Sequence, residues 1–208
     1  MAFLRRAAAV AAIGMTIVAL GSASAVAAGP GSVYQLPTPY ASSYSFDPGC
    51  TNISLVVHGK KSGVDTIFNL AGSHGQAFLD LKTYSFKDKW TNPKNGKYFT
   101  VQGNGTYQEV GGAFVPKKDV PTFLIPPEGL VGPVYRIRSQ DTGINVFRDS
   151  TGNPLYTDRG VIFSENLLDT LGDHAPGGLS LDYQVVKVIG PHPSWNVDLC
   201  VLAHRLLK

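Results

Sequence analysis

Cysteine is scarce in this 208-residue chain, with Cys50 and Cys200 the only two. Two thiols so far apart, with no histidine at ligand spacing, argue against a zinc site. The five histidines (His58, His74, His174, His192 and His204) include no H-x-x-x-H and no H-x-H, so the common metalloprotease pattern is missing. No G-x-S-x-G nucleophile elbow occurs either, and Gly59-Lys60-Lys61-Ser62-Gly63 misses its spacing. Charge of one sign is not in excess: 18 Lys+Arg stand against 15 Asp+Glu. That balance gives no electrostatic case for nucleic acid, whose binders carry a basic footprint. Beyond the first 28 residues no apolar run reaches membrane-spanning length. A sustained 3.6-residue apolar period is lacking there too, which argues against a helical bundle.

At the N-terminus the three parts of an export signal stand in order. Arg5 and Arg6 make the positive region, the run AAAVAAIGMTIVAL (residues 7–20) the apolar one, and small residues follow. Two cleavage frames fit, Ala23-Ser24-Ala25 and Val26-Ala27-Ala28, and the second leaves a mature start at Gly29. An uncleaved anchor is the competing reading, but the later half of residues 7–28 is small and weakly apolar. The boundary carries no cysteine for a lipid anchor. The expected organisation is a signal peptide over residues 1–28, an extended segment over 29–49 and a secreted β-domain over 50–208. Without Arg5 and Arg6 the 18 cations become 16 against 15 anions, a mature net charge of about +1. In an oxidising compartment an even pair of cysteines most simply forms a disulfide, so Cys50 is expected to join Cys200. Two separate thiols are the alternative.

The 23 Gly and 14 Pro favour strands and turns. Residues 29–49 read as an extended lead-in. Ile53, Leu55 and Val57 alternate with polar neighbours, Gly59 to Gly63 read as a turn, and residues 64–68 return as a second strand. Asn95-Gly96 lies between two strand-like runs and predicts a tight hairpin, with Phe99 and Val101 on one side. Gly103-Asn104-Gly105 reads as a bend. Residues 111–133, with five prolines, read as loop with at best an edge strand at 122–125. Residues 143–157 predict another hairpin around Asp149 to Asn153. In LSLDYQVVKVI (179–189) the alternation slips at Val186, which predicts a bulge. Helix is expected only at 166–171 and at the C-terminus, where a final strand runs into a helical turn. About ten short strands predict an all-β fold, an antiparallel sandwich or barrel of one domain with at most short helical turns.

Taken in order, Asp47-x-x-Cys50, the turn-rich Thr91 to Lys97, Gly103-x-Gly-Thr106 and the closing Asp198-Leu-Cys200-x-Leu202 resemble a group of small secreted actinobacterial proteins. In that group a Cys near the start pairs with one in a C-terminal Asp-x-Cys. The resemblance implies an extracellular β-domain and carries no activity with it. The 114–133 stretch and the His/Pro segment at 190–195 depart from it.

Candidate chemistry is thin. Ser194, two residues from His192, is the most suggestive nucleophile cluster, and a proline-restrained turn explains it equally. Asp169, Asp173 and His174 make a polar loop without Ca-loop spacing. Glu109, Glu128 and Glu165, with the Asp residues, offer many carboxylate pairs and no way to choose among them. Arg136 and Arg138 alternate on a strand, with Arg148 and Arg159 further on, and suggest contact with an anionic envelope polymer. A solvated sheet face is the plainer explanation. No catalytic residue, cofactor or metal is implied. The expectation is a non-enzymatic extracellular or envelope-associated binding module. The alternatives are a secreted hydrolase or isomerase with its site on loops 111–133 and 164–178, and a small lipid-holding barrel.

Overall fold

The structure, a computed structural model, describes residues 30–70 and 77–208, with only the backbone of Pro30. The expected signal peptide and His74 lie outside the described residues. Seven strands form one antiparallel sheet: β1 (Pro30–Phe46), β2 (Val56–Leu70), β3 (Phe78–Thr91), β4 (Tyr98–Val115), β5 (Val134–Arg148), β6 (Pro154–Asp169) and β7 (Leu179–Ile189). Each strand pairs with its neighbours in sequence, in the order β1-β2-β3-β4-β5-β6-β7. A short helix, α1 (Leu199–Leu207), ends the chain. The all-β antiparallel expectation holds. Among the described residues the strands all lie in one open sheet and no barrel closes, because β1 and β7 remain at opposite edges.

Turn chemistry sets two of the hairpins. At β3–β4, Gly96 takes φ +73° and its N–H bonds the Asn92 carbonyl at 2.9 Å, the left-handed backbone that Asn-Gly favours. At β5–β6, Asp149 Oδ1 accepts the N–H groups of Thr151 and Asn153, each at 2.9 Å, and Gly152 takes φ +91°. The predicted bulge in β7 is present: Val185 faces Ser164 and Lys187 faces Phe163, leaving Val186 unpaired.

The strands run 11 to 18 residues, and the apolar cores gather at their two ends. At one end Leu55, Val57, Trp90, Phe99, Val101 and Phe147 are buried beneath Leu202, Ala203 and Leu207 of α1. The helix forms because Asp198 caps it, accepting from the N–H groups of Cys200 at 2.7 Å and Val201 at 3.2 Å. Its Leu199, Leu202, Ala203, Leu206 and Leu207 make one apolar stripe. The Leu207 carbonyl accepts from Asn92 and Asn95, which ties the helix end to the β3–β4 turn. The expected disulfide joins Cys50 to Cys200 with Cα atoms 5.4 Å apart. At the other end the ladder of β3 with β4 stops at Leu81↔Gln108, and Leu70, Ala77 and Leu79 pack with Tyr135 and Ile137. The loop 116–133 covers Val134 and Leu167 through Val120. It is pinned by the buried Asp169 carboxylate, which accepts from Val131 and Gly132 N–H, both at 2.9 Å.

Several expectations are corrected. Gly59 to Gly63 is no turn but the middle of β2, and Gly103 to Gly105 is the middle of β4. These glycines admit neighbouring side chains rather than reverse the chain. Residues 122–124 form a 3-10 turn, not an edge strand, since each flanking proline removes an N–H from any ladder. Residues 166–169 finish β6 rather than starting a helix. No final strand precedes α1, because the Asp198 cap starts the helix at Leu199. The roughly ten short strands are seven long ones, in part because the breaks read at residues 59–63 and 103–105 fall inside β2 and β4. The 29–49 lead-in contributes β1, an edge strand.

Candidate functional site

Because alternate residues point to opposite faces, the register sorts the central side chains into two sets. On one face a row crosses six strands: Tyr40↔Gly63, Gly63↔Tyr84, Tyr84↔Gly105, Gly105↔Gly143 and Gly143↔Gly160. The rings lie across the glycines. A Cβ at Gly63 would collide with the Thr83 carbonyl oxygen and approach the Tyr40 hydroxyl, and one at Gly105 would meet the Thr142 carbonyl oxygen and the Tyr84 ring. Lying flat, each ring reaches over a whole strand. Tyr44 on β1 passes over Gly59 and donates to Asp88 on β3 at 2.5 Å. Tyr84 on β3 passes over Gly105 and donates to Asp141 on β5 at 2.7 Å. Phe86 similarly lies against Gly103.

This tyrosine face also carries the acids. Tyr107 donates to Glu109 Oε1 at 3.0 Å, and the other Glu109 oxygen accepts the Asp80 N–H at 2.8 Å. That carboxylate takes the place of a backbone acceptor just where β3 and β4 part. Lys82 bridges Asp80 and, at 3.4 Å, Asp65. Burial pushes the carboxyls of Asp88, Glu109 and Asp141 upward. Asp80 rises to about 7, first through burial and then through its carboxyl neighbour Asp65. One ammonium serves two carboxylates there, and Oδ1 of both Asp65 and Asp80 is buried without a hydrogen-bond partner. Burial and the neighbouring carboxylates raise the Tyr44, Tyr84 and Tyr107 hydroxyls as well, so they stay protonated donors.

The opposite face is open and basic. One row reads His58↔Lys89, Lys89↔Thr100, Thr100↔Arg148, and the next Lys60↔Lys87, Lys87↔Gln102, Gln102↔Val146. Beyond them Ser62 faces Ser85, their hydroxyls 3.1 Å apart, and Ser85 faces Asn104. His58, Lys60, Ser62, Ser85, Lys87, Lys89 and Asn104 are all exposed. Like charges directly opposite each other, as at Lys60 and Lys87, destabilise a strand pair. Among the described residues no ion pair reaches Lys60, Lys87 or Lys89, and no residue outside them is acidic. Lys89 Nζ instead lies 4.1 Å from the Tyr98 ring centre. Shallow depressions of about 540 and 210 Å³ flank Lys87, the first reaching Lys60, Ser62 and Ser85, the second Gln102 and Asn104.

The residues singled out from sequence fall as follows. Arg136, Arg138 and Arg148 share the open face of β5, yet do not converge. Arg136 pairs with Glu165 at 3.4 Å, and Arg148 donates to the Gly152 carbonyl at 2.9 Å. Ten residues, about 33 Å of strand, separate Arg138 from Arg148. Arg148 joins the Lys89 row, and Arg159 faces Ile144 beside it. Ser194 donates its hydroxyl and its N–H to Asp158, so that pair fastens the 190–197 loop to β6. His192 stands edge-on to Trp195 rather than orienting the serine. Asp169 is committed to backbone N–H groups, and Asp173 accepts from Ala175 N–H at 3.0 Å. Glu109 and Glu165 lie on opposite faces, and Glu128 lies in the 116–133 loop. Sequence reasoning missed Lys60, Lys87, Lys89 and the four tyrosines. The signal was in Phe86-Lys87-Asp88-Lys89-Trp90, where lysines alternate with residues of the other face.

Among the described residues no helix is long and apolar enough to cross a membrane. No known family, curated protein or solved structure matches this chain at a significant level.

Proposed function

We propose that the protein is an exported, non-enzymatic binding module that lays the open basic face of its sheet on an anionic polymer outside the cytoplasm. The observation that carries this reading is the segregation of charge. Asp65, Asp80, Asp88, Glu109, Asp141 and Asp158 stand with the tyrosines, while Lys60, Lys87, Lys89, Arg148 and Arg159 stand together on the other side. A nearly neutral chain thus presents a cationic plane. Serine, threonine and amide side chains between the cations supply neutral hydrogen bonds, as an extended chain bearing both anionic and hydroxyl groups requires. The acids, by contrast, are occupied in holding strands together, which favours binding over acid–base chemistry. Export rests on the N-terminal pattern, and the disulfide is in keeping with it. The likeness of its turn and cysteine motifs to small secreted actinobacterial proteins supports export and carries no activity with it.

Chromatography on immobilised dextran sulfate, with neutral dextran as control, tests the proposal. Retention on the sulfated matrix alone is expected, with release by salt and loss in the Lys60→Glu/Lys87→Glu variant. Elution of that variant together with the parent, or no retention at low salt, would refute it.

A further inference from the structure

The two edges of the sheet are built differently. The β1 edge carries Pro30, Pro37 and Pro39, and its register with β2 shifts three times between Pro30 and Thr38. Proline removes a donor from an edge and is one way native sheets prevent further pairing; register shifts do not distinguish the two edges, because β7 is itself bulged at Leu181 and Val186. The β7 edge has no proline, and among the described residues no strand lies beyond it. It exposes Val185, Val186, Val188 and Ile189, with Val186 61% exposed.

Counted along the ladder with β6, the middle step of β7 is Gln184, which faces Glu165. One step away stand Tyr183 and Val185, facing Asn166 and Ser164. Two steps away stand Asp182 and Lys187, facing Leu167 and Phe163. Three steps away stand Ser180 and Val188, and four steps away Leu179 and Ile189. Leu181 and Val186 bulge out of the count. A two-fold axis normal to the sheet keeps each residue on its own face, so an antiparallel β7–β7 pair needs partners of matching face and equal ladder distance. Any alternating strand meets that condition; in this one an axis through Gln184 also brings the two charged positions, Asp182 and Lys187, opposite each other with opposite sign.

We infer that β7 is the interface for a second copy of this chain, the two sheets joining edge to edge about an axis through Gln184. Asp182 of each copy then faces Lys187 of the other, twice per dimer, and Leu179 faces Ile189. Because the axis is normal to the sheet, the basic faces of both copies point the same way. The inference goes beyond the polymer-binding reading and stands without it.

Sedimentation velocity on the chain purified from a secreting host, with its disulfide intact, tests the pairing. The parent is expected to be a dimer whose monomer fraction grows on dilution. Lys187→Asp and Asp182→Lys each place like charges opposite and should weaken dimerisation roughly tenfold or more. The double exchange, Asp182→Lys with Lys187→Asp, restores complementarity and should return the dimer. Both positions lie on an edge strand, and circular dichroism of each variant confirms that it is folded. A parent that stays monomeric at high concentration overturns the inference. So does a dimer indifferent to the single reversals, or a double exchange that fails to recover the loss.

Discussion

On β2, Gly59 and Gly63 belong to one face and Lys60 and Ser62 to the other, yet the two sets face opposite physical problems. The tyrosine face is closed on itself. Its rings lie on glycines, its hydroxyls reach acids two strands away, and α1 seals its apolar end. The basic face has no such closure in the middle of the sheet: lysine faces lysine, and serine faces serine. In an open sheet without a second layer, one face must supply the cohesion that a sandwich would obtain from its partner. Long Tyr–Asp reaches across glycine do so here, and they release the other face for contact with something else.

That contrast can be broken from the structural side first. Cys50→Ala/Cys200→Ala frees the helix that covers the tyrosine-face core and should cost about 2–5 kcal/mol in denaturant unfolding. An unchanged midpoint would mean that α1 contributes little to closure. Gly63→Ala drives a methyl into the Thr83 carbonyl and toward the Tyr40 hydroxyl and should cost about 1–3 kcal/mol. Ser62→Ala, one residue away on the open face, should stay within about 0.5 kcal/mol. Equal effects at the two positions would erase the distinction between the faces. Tyr84→Phe leaves Asp141 without its donor and should lower stability by about 1–3 kcal/mol, seen as a lower Tm.

The acids give the comparison a pH dependence. In the folded chain the Asp80 carboxyl titrates at about 7 against an ordinary 3.8, and Asp88, Glu109 and Asp141 shift the same way. Carboxyls that hold their protons more tightly when folded contribute stability that is complete below their unfolded values and lost as pH rises through the folded ones. Stability should therefore fall between about pH 4 and 7, and Asp80→Asn should flatten the profile. Thermal melts across that window check it, and a Tm that rises there would contradict the assignment.

How much of this was legible in the sequence depends on what each glycine does. Gly96 and Gly152 follow Asn and Thr in polar turns, take positive φ and were read correctly as hairpins. Gly59, Gly63, Gly103 and Gly105 sit among equally polar residues but serve rings that come from other strands, and nothing local distinguishes them from turn glycines. That ambiguity split two long strands, placed Lys60 and Lys61 in an imagined loop and hid the cation rows. The bulge at Val186 was visible because a phase slip is a local event. The caps were harder: Asp198 sits before a run that alternates as well as it spirals, and the cap decides for helix together with packing against Trp90 and Phe99. Asp169 could not be assigned at all, since its three donors are backbone groups of a distant loop and of its own turn.

The most direct test of the division of labour compares two single variants on two readouts. Lys87→Glu and Tyr84→Phe would each be measured for Tm and for the salt concentration that releases them from dextran sulfate. The account predicts that Lys87→Glu elutes at lower salt with a Tm no lower than the parent's, since it replaces a lysine facing Lys60, and that Tyr84→Phe melts earlier while eluting with the parent. If Lys87→Glu lowers the Tm and leaves retention intact, or if Tyr84→Phe weakens retention while still folded, the faces do not have the separate roles assigned to them.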